Sequence, residues 1–185
     1  MPLTIDQIVQ LYRSEGAVRQ GGGAVSLQEH ALQCGLLAQQ ADAGPELVLA
    51  ALLHDLGHLV GGDDEEHRDS RHEVRALPFL RGRFPFSVLD TIRLHVPAKR
   101  YLCAIDPAYQ ESLSPGSRRS LEAQGGPLRG WQLEEFLREP HALDAVALRR
   151  WDDRARSPMR ATPGWEHFRP VLEAVSLRRV AALLS

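Results

Sequence analysis

Long apolar runs are missing from this sequence: none reaches the roughly 18 residues that a membrane span needs. No secretory leader precedes the first helical pattern, so a soluble, cytoplasmic protein is expected. Cysteine is scarce. Cys34 and Cys103 stand alone, outside any CxxC or Cys/His zinc spacing. This argues against a disulfide scaffold and a zinc ribbon, and leaves two buried free thiols in a reducing compartment. Neither sign of charge dominates, with 22 Lys and Arg against 24 Asp and Glu and a net charge of −2. That balance gives no general pull toward nucleic acid or an anionic membrane, so any anion preference must come from a local cluster. Strand-like alternation, internal repeats, low-complexity tracts and linkers are also lacking. At 185 residues the chain reads as one domain, 1–185, able to bury a core without staples, and as a monomer or weak homo-oligomer.

What is present is helical periodicity. Thr4 can cap a first helix with an apolar stripe of Ile5, Ile8, Val9, Leu11 and Tyr12. The Gly21-Gly22-Gly23 triplet could cradle a phosphate, but no preceding strand and no GK[ST] accompany it, so it reads as a loop. Ser26 and Glu29 form a capping-box pattern for a helix running to Gly44 and carrying His30. Pro45 suits the first turn of the next helix, which is expected to end near Gly57. Residues 61–69, GGDDEEHRD, read as an acidic surface loop. Ser70 then opens a short helix with His72 and Glu73, expected to halt before Pro78. FSVLDTIRLHV follows Pro85, with Val88, Ile92, Leu94 and His95 placed to pack inward, and Pro97 is expected to break or kink it. Residues 114–127 resemble a capped helix closed by a Gly-Gly stop. Helices over 131–139, 142–156 and 165–184 complete an all-α domain.

The stretch 47–60, LVLAALLHDLGHLV, organises the rest. It reads as a buried helix, yet it ends in His54, Asp55 and His58. Ionisable groups in such a place cost several kcal/mol unless paired, hydrogen-bonded or bound to a cation. The plain alternative is a core histidine satisfied by its neighbouring aspartate. A divalent metal is the stronger reading, because imidazole nitrogen and carboxylate oxygen both suit borderline and hard ions. Neighbouring helical residues point about 100° apart, so His54 and Asp55 do not chelate as a tight pair. The two oxygens of Asp55 can instead serve two ions. His30, His54-Asp55, His72, His95 and Asp152, all from helical segments, complete the candidate set.

This order of His, His-Asp, two further His and a late Asp resembles the HD-domain superfamily of metal-dependent enzymes. The strings EHALQ, AALLHDLGHL, RLHVPAKRYL, LSPGS, QGGP and LRRWDD narrow the resemblance to the PhnZ-type phosphonate-degrading oxygenases, relatives in chemistry of myo-inositol oxygenase. The resemblance implies a compact HD-domain fold with a dinuclear site between helices. It implies that His30, His54, Asp55 and Asp152 hold one ion and that Asp55, His72 and His95 hold the other. His67 competes with His72, which is preferred for its amphipathic helical setting. The implied cofactors are two iron ions, Fe(II)/Fe(III), with O2 as co-substrate. The implied reaction cleaves the C–P bond of a 1-hydroxyalkylphosphonate, a small molecule, giving phosphate and a carboxylic acid. His58, Lys99, Ser117 and Arg149 are then the substrate contacts, with Asp55, His58 and Lys99 in catalytic roles. His58, Lys99 and Arg149 each lie one helical turn from a ligand, where cations orient an oxyanion.

One departure bears on specificity. By register, the family's Tyr and Glu ahead of the EHALQ histidine are Gln20 and Gly23 here. Tyr12 and Glu15 keep the spacing but lie too early unless the glycine loop folds back. Loss of a carboxylate that pairs a buried ammonium costs roughly 2–5 kcal/mol. A substrate without the amine, such as hydroxymethylphosphonate, is therefore expected, with Gly23→Glu improving an amino substrate. The rivals are an HD-domain phosphohydrolase acting on a phosphate ester or nucleotide, and a catalytically dead sensor. The full ligand set argues against the sensor.

Overall fold

The computed structural model describes residues 1–20, 24–60 and 71–177. The glycine triplet, the acidic loop with His67 and Ser70, and the end of the expected last helix lie outside the described residues. Those described are helical almost throughout, with two isolated bridges and no strand among them.

Helix α1 (Ile5–Leu11) starts where expected, because Thr4 and Gln7 satisfy each other's free backbone groups in a capping box. It passes into a π-helical turn over Tyr12–Gly16. Helix α2 (Leu27–Gln40) has the same device in Ser26 and Glu29. Helix α3 (Pro45–Leu53) is buried on nearly all sides. Short helices α4 (His72–Arg75) and α5 (Leu77–Leu80) lead to the long α6 (Phe86–Ile105). Then come α7 (Pro107–Ser112), α8 (Pro115–Ala123), α9 (Trp131–Arg138), α10 (Ala142–Arg154) and α11 (Trp165–Val175). Helix α3 is held by α2, α6, α10 and α11, and α10 lies along α6. The main core joins Leu49, Leu52, Leu53, Ile92, Leu148 and Phe168, all fully buried.

Two sequence expectations need correction, and a third holds. Helix α3 ends at Leu53 rather than Gly57, and Leu56–His58 is a 3-10 turn. The ring N–H of His54 donates to the Ala51 carbonyl, one of the acceptors that a helix end leaves open. The short helix α4 does halt before Pro78, at Arg75, and Pro78 falls in the first turn of the next helix, α5, where its missing N–H is no loss. Pro97 does not break α6, which continues to Ile105. The interior proline costs about 3 kcal/mol. Burial of Val88, Leu89, Ile92, Leu94 and Leu102 along the same helix, at roughly 1.5–3 kcal/mol each, outweighs it. The Gly-Gly stop after α8 holds: Gly125 and Gly126 have φ of 95° and 70°. Helix α7 had no sequence counterpart.

Gly57 does more than end a helix. A Cβ there would sit 1.9 Å from the carbonyl oxygen of His72, so only glycine lets the turn after α3 press against α4. That approach brings the two histidine-bearing segments together.

Candidate metal centre

His30 reaches the site from the first turns of α2, His54 and Asp55 from the end of α3, and His72 from α4. His95 comes from the middle of α6, and Asp152 from α10. All six converge. Asp55 is the hub: one oxygen lies 3.5 Å from His30 Nε2, and the other lies 3.5 Å from both His54 Nε2 and His72 Nε2. Asp152 Oδ1 is 3.3 Å from His30 Nε2, and its Oδ2 is 4.0 Å from His54 Nε2. His72 Nε2 and His95 Nε2 face each other at 3.0 Å, and His30 Nε2 and His54 Nε2 at 3.3 Å.

The hydrogen bonds behind these rings test whether a metal fits. The Nδ1–H groups of His30, His54 and His95 donate to the carbonyls of Ala155, Ala51 and Ile92 at 2.8, 3.0 and 2.7 Å. A carbonyl only accepts, so each Nδ1 carries a proton and Nε2 is the atom that faces inward. Burial lowers His30, but Cys34 and Asp152 raise it well above the ordinary imidazole range, so a metal there would displace its Nε2 proton. Bare lone pairs and two carboxylates gathered in one buried space repel unless a cation lies among them. Second bonds of this kind are what orient metal-binding imidazoles. Burial, and then the neighbouring His54, push His95 down to about 3, so it stays neutral. Burial and then His58 lower His72 as well. Burial alone would raise the Asp55 carboxyl, but His54, His58, His72 and His30 hold it well below the carboxylate range. The donor set fits cations, and its N/O composition suits iron or manganese better than a thiolate metal.

His72 is the exception among these histidines. Its Nδ1 has no hydrogen-bond partner among the described residues, and neither has the buried Glu73 Oε2, 3.8 Å away. The sequence shows His72 and Glu73 only as neighbours on a short helix and Cys34 only as a buried thiol; its Sγ lies 3.7 Å from His30 Nε2.

A cavity of about 800 Å³ opens over Asp55, His72, His95 and Asp152. Its wall carries all four expected substrate contacts: His58, Lys99, Ser117 and Arg149. His58 stacks on His72 with ring centroids 4.1 Å apart and its Nε2 3.8 Å from Asp55. Lys99 is buried and donates to Ser120 Oγ at 3.0 Å. Burial, and then the Arg149 charge, lower its ammonium to about 8. Ser117 is within hydrogen-bond reach of the helix-capping Ser114. Arg149 is less free than a lone anion-binding arginine. It donates to Asp152 at 2.6 Å and is also paired with Asp153, which accepts from Tyr109 at 2.5 Å. Arg19, Arg119, Ser120 and Arg156 also line the cavity and were not singled out from the sequence. Arg156, four residues after Asp152, pairs with it at 3.2 Å, a spacing legible in the chain, whereas Arg19, Arg119 and Ser120 lie one turn from no candidate ligand.

Gln20 and Ser26, which flank the glycine triplet in the chain, pair as an isolated antiparallel bridge. Gln20 lines the cavity. Tyr12 is fully buried beside Trp165, its hydroxyl unpartnered among the described residues and its pKa raised by burial and by Asp55. Glu15 is exposed and pairs with Arg19 at 3.3 Å. Cys34 and Cys103 are buried free thiols, as expected. No helix among the described residues is long and apolar enough to cross a membrane.

Comparison with known proteins shows the family. The family model described as HD domain matches residues 27–125. The chain is 38% identical over 156 residues to hydroxymethylphosphonate dioxygenase of Gimesia maris, covering 82% of this chain and 78% of that one. It is 35% identical over 167 residues to the glycine-betaine-forming 1-hydroxy-2-(trimethylamino)ethylphosphonate dioxygenase of Leisingera caerulea, covering 87% and 84%. An uncharacterized protein, L432, of Acanthamoeba polyphaga mimivirus is 27% identical over 174 residues, covering 91% and 80%.

Proposed function

The chain belongs to the HD-domain family, among the phosphonate dioxygenases, and from that premise we propose that it cleaves the C–P bond of a 1-hydroxyalkylphosphonate without an amine. The reaction balances as R–CH(OH)–PO3H2 plus O2 giving R–COOH plus H3PO4. His30, His54, Asp55 and Asp152 hold one iron, and Asp55, His72 and His95 hold the other. The observation that carries this reading is Asp55, with one oxygen toward His30 and the other toward His54 and His72. An iron pair there supplies a Lewis acid for the substrate's oxygens and electrons for O2 reduction.

The chain's own groups do the rest. Lys99, buried and protonated below about pH 8, meets the phosphonate dianion with a charge-assisted bond. Ser117 adds a hydroxyl from the first turn of α8, and His58 sits between the dianion and Asp55. Arg149 lines the same wall while its bond to Asp152 fixes that carboxylate. These groups hold C1 in one orientation and neutralise the departing phosphate. Among the described residues no Phe, Tyr or Trp lines the cavity, so a trimethylammonium group meets none of those rings there. Hydroxymethylphosphonate and related unaminated substrates fit better. Residues 1–185 act as a single HD domain, a monomer or weak homo-oligomer. Two free thiols suit a reducing cytoplasm.

Phosphate release by anaerobically iron-loaded protein, measured with and without O2, tests the reading. Release only with O2, with a coupled mixed-valent signal in electron paramagnetic resonance, is expected. Release independent of O2 would make the protein a hydrolase.

A further inference from the structure

The cavity over the histidines adjoins a second one, also of about 800 Å³, and the two share Val96, Gly116, Arg119 and Ser120. Either is of a size that houses ligands far larger than a one-carbon phosphonate, since drug-sized ligands occupy about 300–1,000 Å³. The second cavity is lined by Arg71, Arg100 and Arg119 against one carboxylate, Glu73, among the described residues. Arg100 donates to the Gly126 carbonyl at 2.7 Å. Arg119 has no ion-pair partner among the described residues, and it stands where the two spaces meet. Its neighbour in the chain, Ser120, takes the Lys99 hydrogen bond, and the exposed Arg119 lines the same first cavity as Lys99, the group expected to hold the phosphonate. Three guanidinium groups around one space repel each other, and an anion among them relieves that repulsion.

We propose that the second cavity receives an anionic group at the far end of the substrate, so that this chain's preferred phosphonate carries a second negative group, such as a carboxylate, bound by Arg119. The proposal rests on the oxygenase reading above. The distal carboxylate takes no part in the chemistry. C1 becomes a new carboxylic acid, and the products are a dicarboxylic acid and phosphate, with the same O2 balance.

The test compares 1-hydroxy-3-carboxypropylphosphonate with the uncharged 1-hydroxybutylphosphonate. The carboxylated chain should have a kcat/KM about ten- to a hundredfold higher, the worth of a hydrogen bond to a charged group. Arg119→Gln should bring that ratio to about one, and Arg119→Glu should turn it below one. Titration calorimetry with the same two phosphonates on wild type and Arg119→Gln reads the same preference without turnover. Equal or better use of the uncharged chain by the wild type would overturn the proposal, as would a ratio that survives Arg119→Gln. Failure of every phosphonate to give O2-dependent phosphate would instead overturn the oxygenase reading, and calorimetry would still decide the second cavity.

Discussion

On the inner wall of the cavity, His30, His54, His95 and Asp152 are each fixed twice, by their helix and by a second bond behind the metal-facing atom. On the outer wall, Lys99 and Arg119 reach into the space with a single hydroxyl bond or no ion-pair partner among the described residues. The inner wall is organised before anything binds, since carbonyls, not ligands, set its tautomers. The outer wall is completed only by an anion. The difference separates the two tasks: metal geometry tolerates little motion, whereas substrate capture needs unpaired charge.

The largest effect should come from breaking the inner wall at its hub. Asp55→Ala should lose both ions and lower phosphate release by about a thousandfold, since several kcal/mol of charge stabilisation go with the metals. Iron per chain by atomic emission, beside O2 uptake, checks this; two irons retained would show that Asp55 is not shared. Next is the junction that brings the inner wall together. Gly57→Ala places a Cβ against the His72 carbonyl, and overpacking of this kind costs about 1–3 kcal/mol or more. A lowered melting temperature together with weakened metal retention is expected; an unchanged protein would mean that the turn and α4 separate readily. The smallest effect sharpens the outer wall. Lys99 loses its proton near pH 8, so KM for the phosphonate should rise as pH climbs through about 8 while kcat changes little. A bound dianion favours the ammonium, so the rise starts near the free-enzyme value and levels off only at the higher value of the complex. Lys99→Met should raise KM at neutral pH and remove this alkaline limb; its persistence would assign the limb to another group.

Much of the inner wall was legible in the chain. A His-Asp pair at the end of an apolar helix is costly enough to announce a cation, and the family resemblance, in keeping with helical register, pointed to His58, Lys99 and Arg149. Helix ends were less legible. Pro97 predicts a break from local chemistry, yet tertiary packing of α6 holds the helix through it. The end of α3 depends on a ring hydrogen bond that no sequence pattern records. Arg149 was read as an anion contact alone, because its clamp to Asp152, Asp153 and Tyr109 joins residues from α7 and α10.

The sequence by itself determined the helical class, the capped starts of α1 and α2, the six side chains that converge in the buried site and the family. Each is carried by residue type and short-range spacing, which survive without knowledge of contacts. The tertiary structure alone decided which imidazole nitrogen faces inward, which oxygen of Asp55 faces which histidine, and that Arg119 borders a second basic cavity. Those depend on carbonyls and helices far apart in the chain, brought within a few ångströms only by folding.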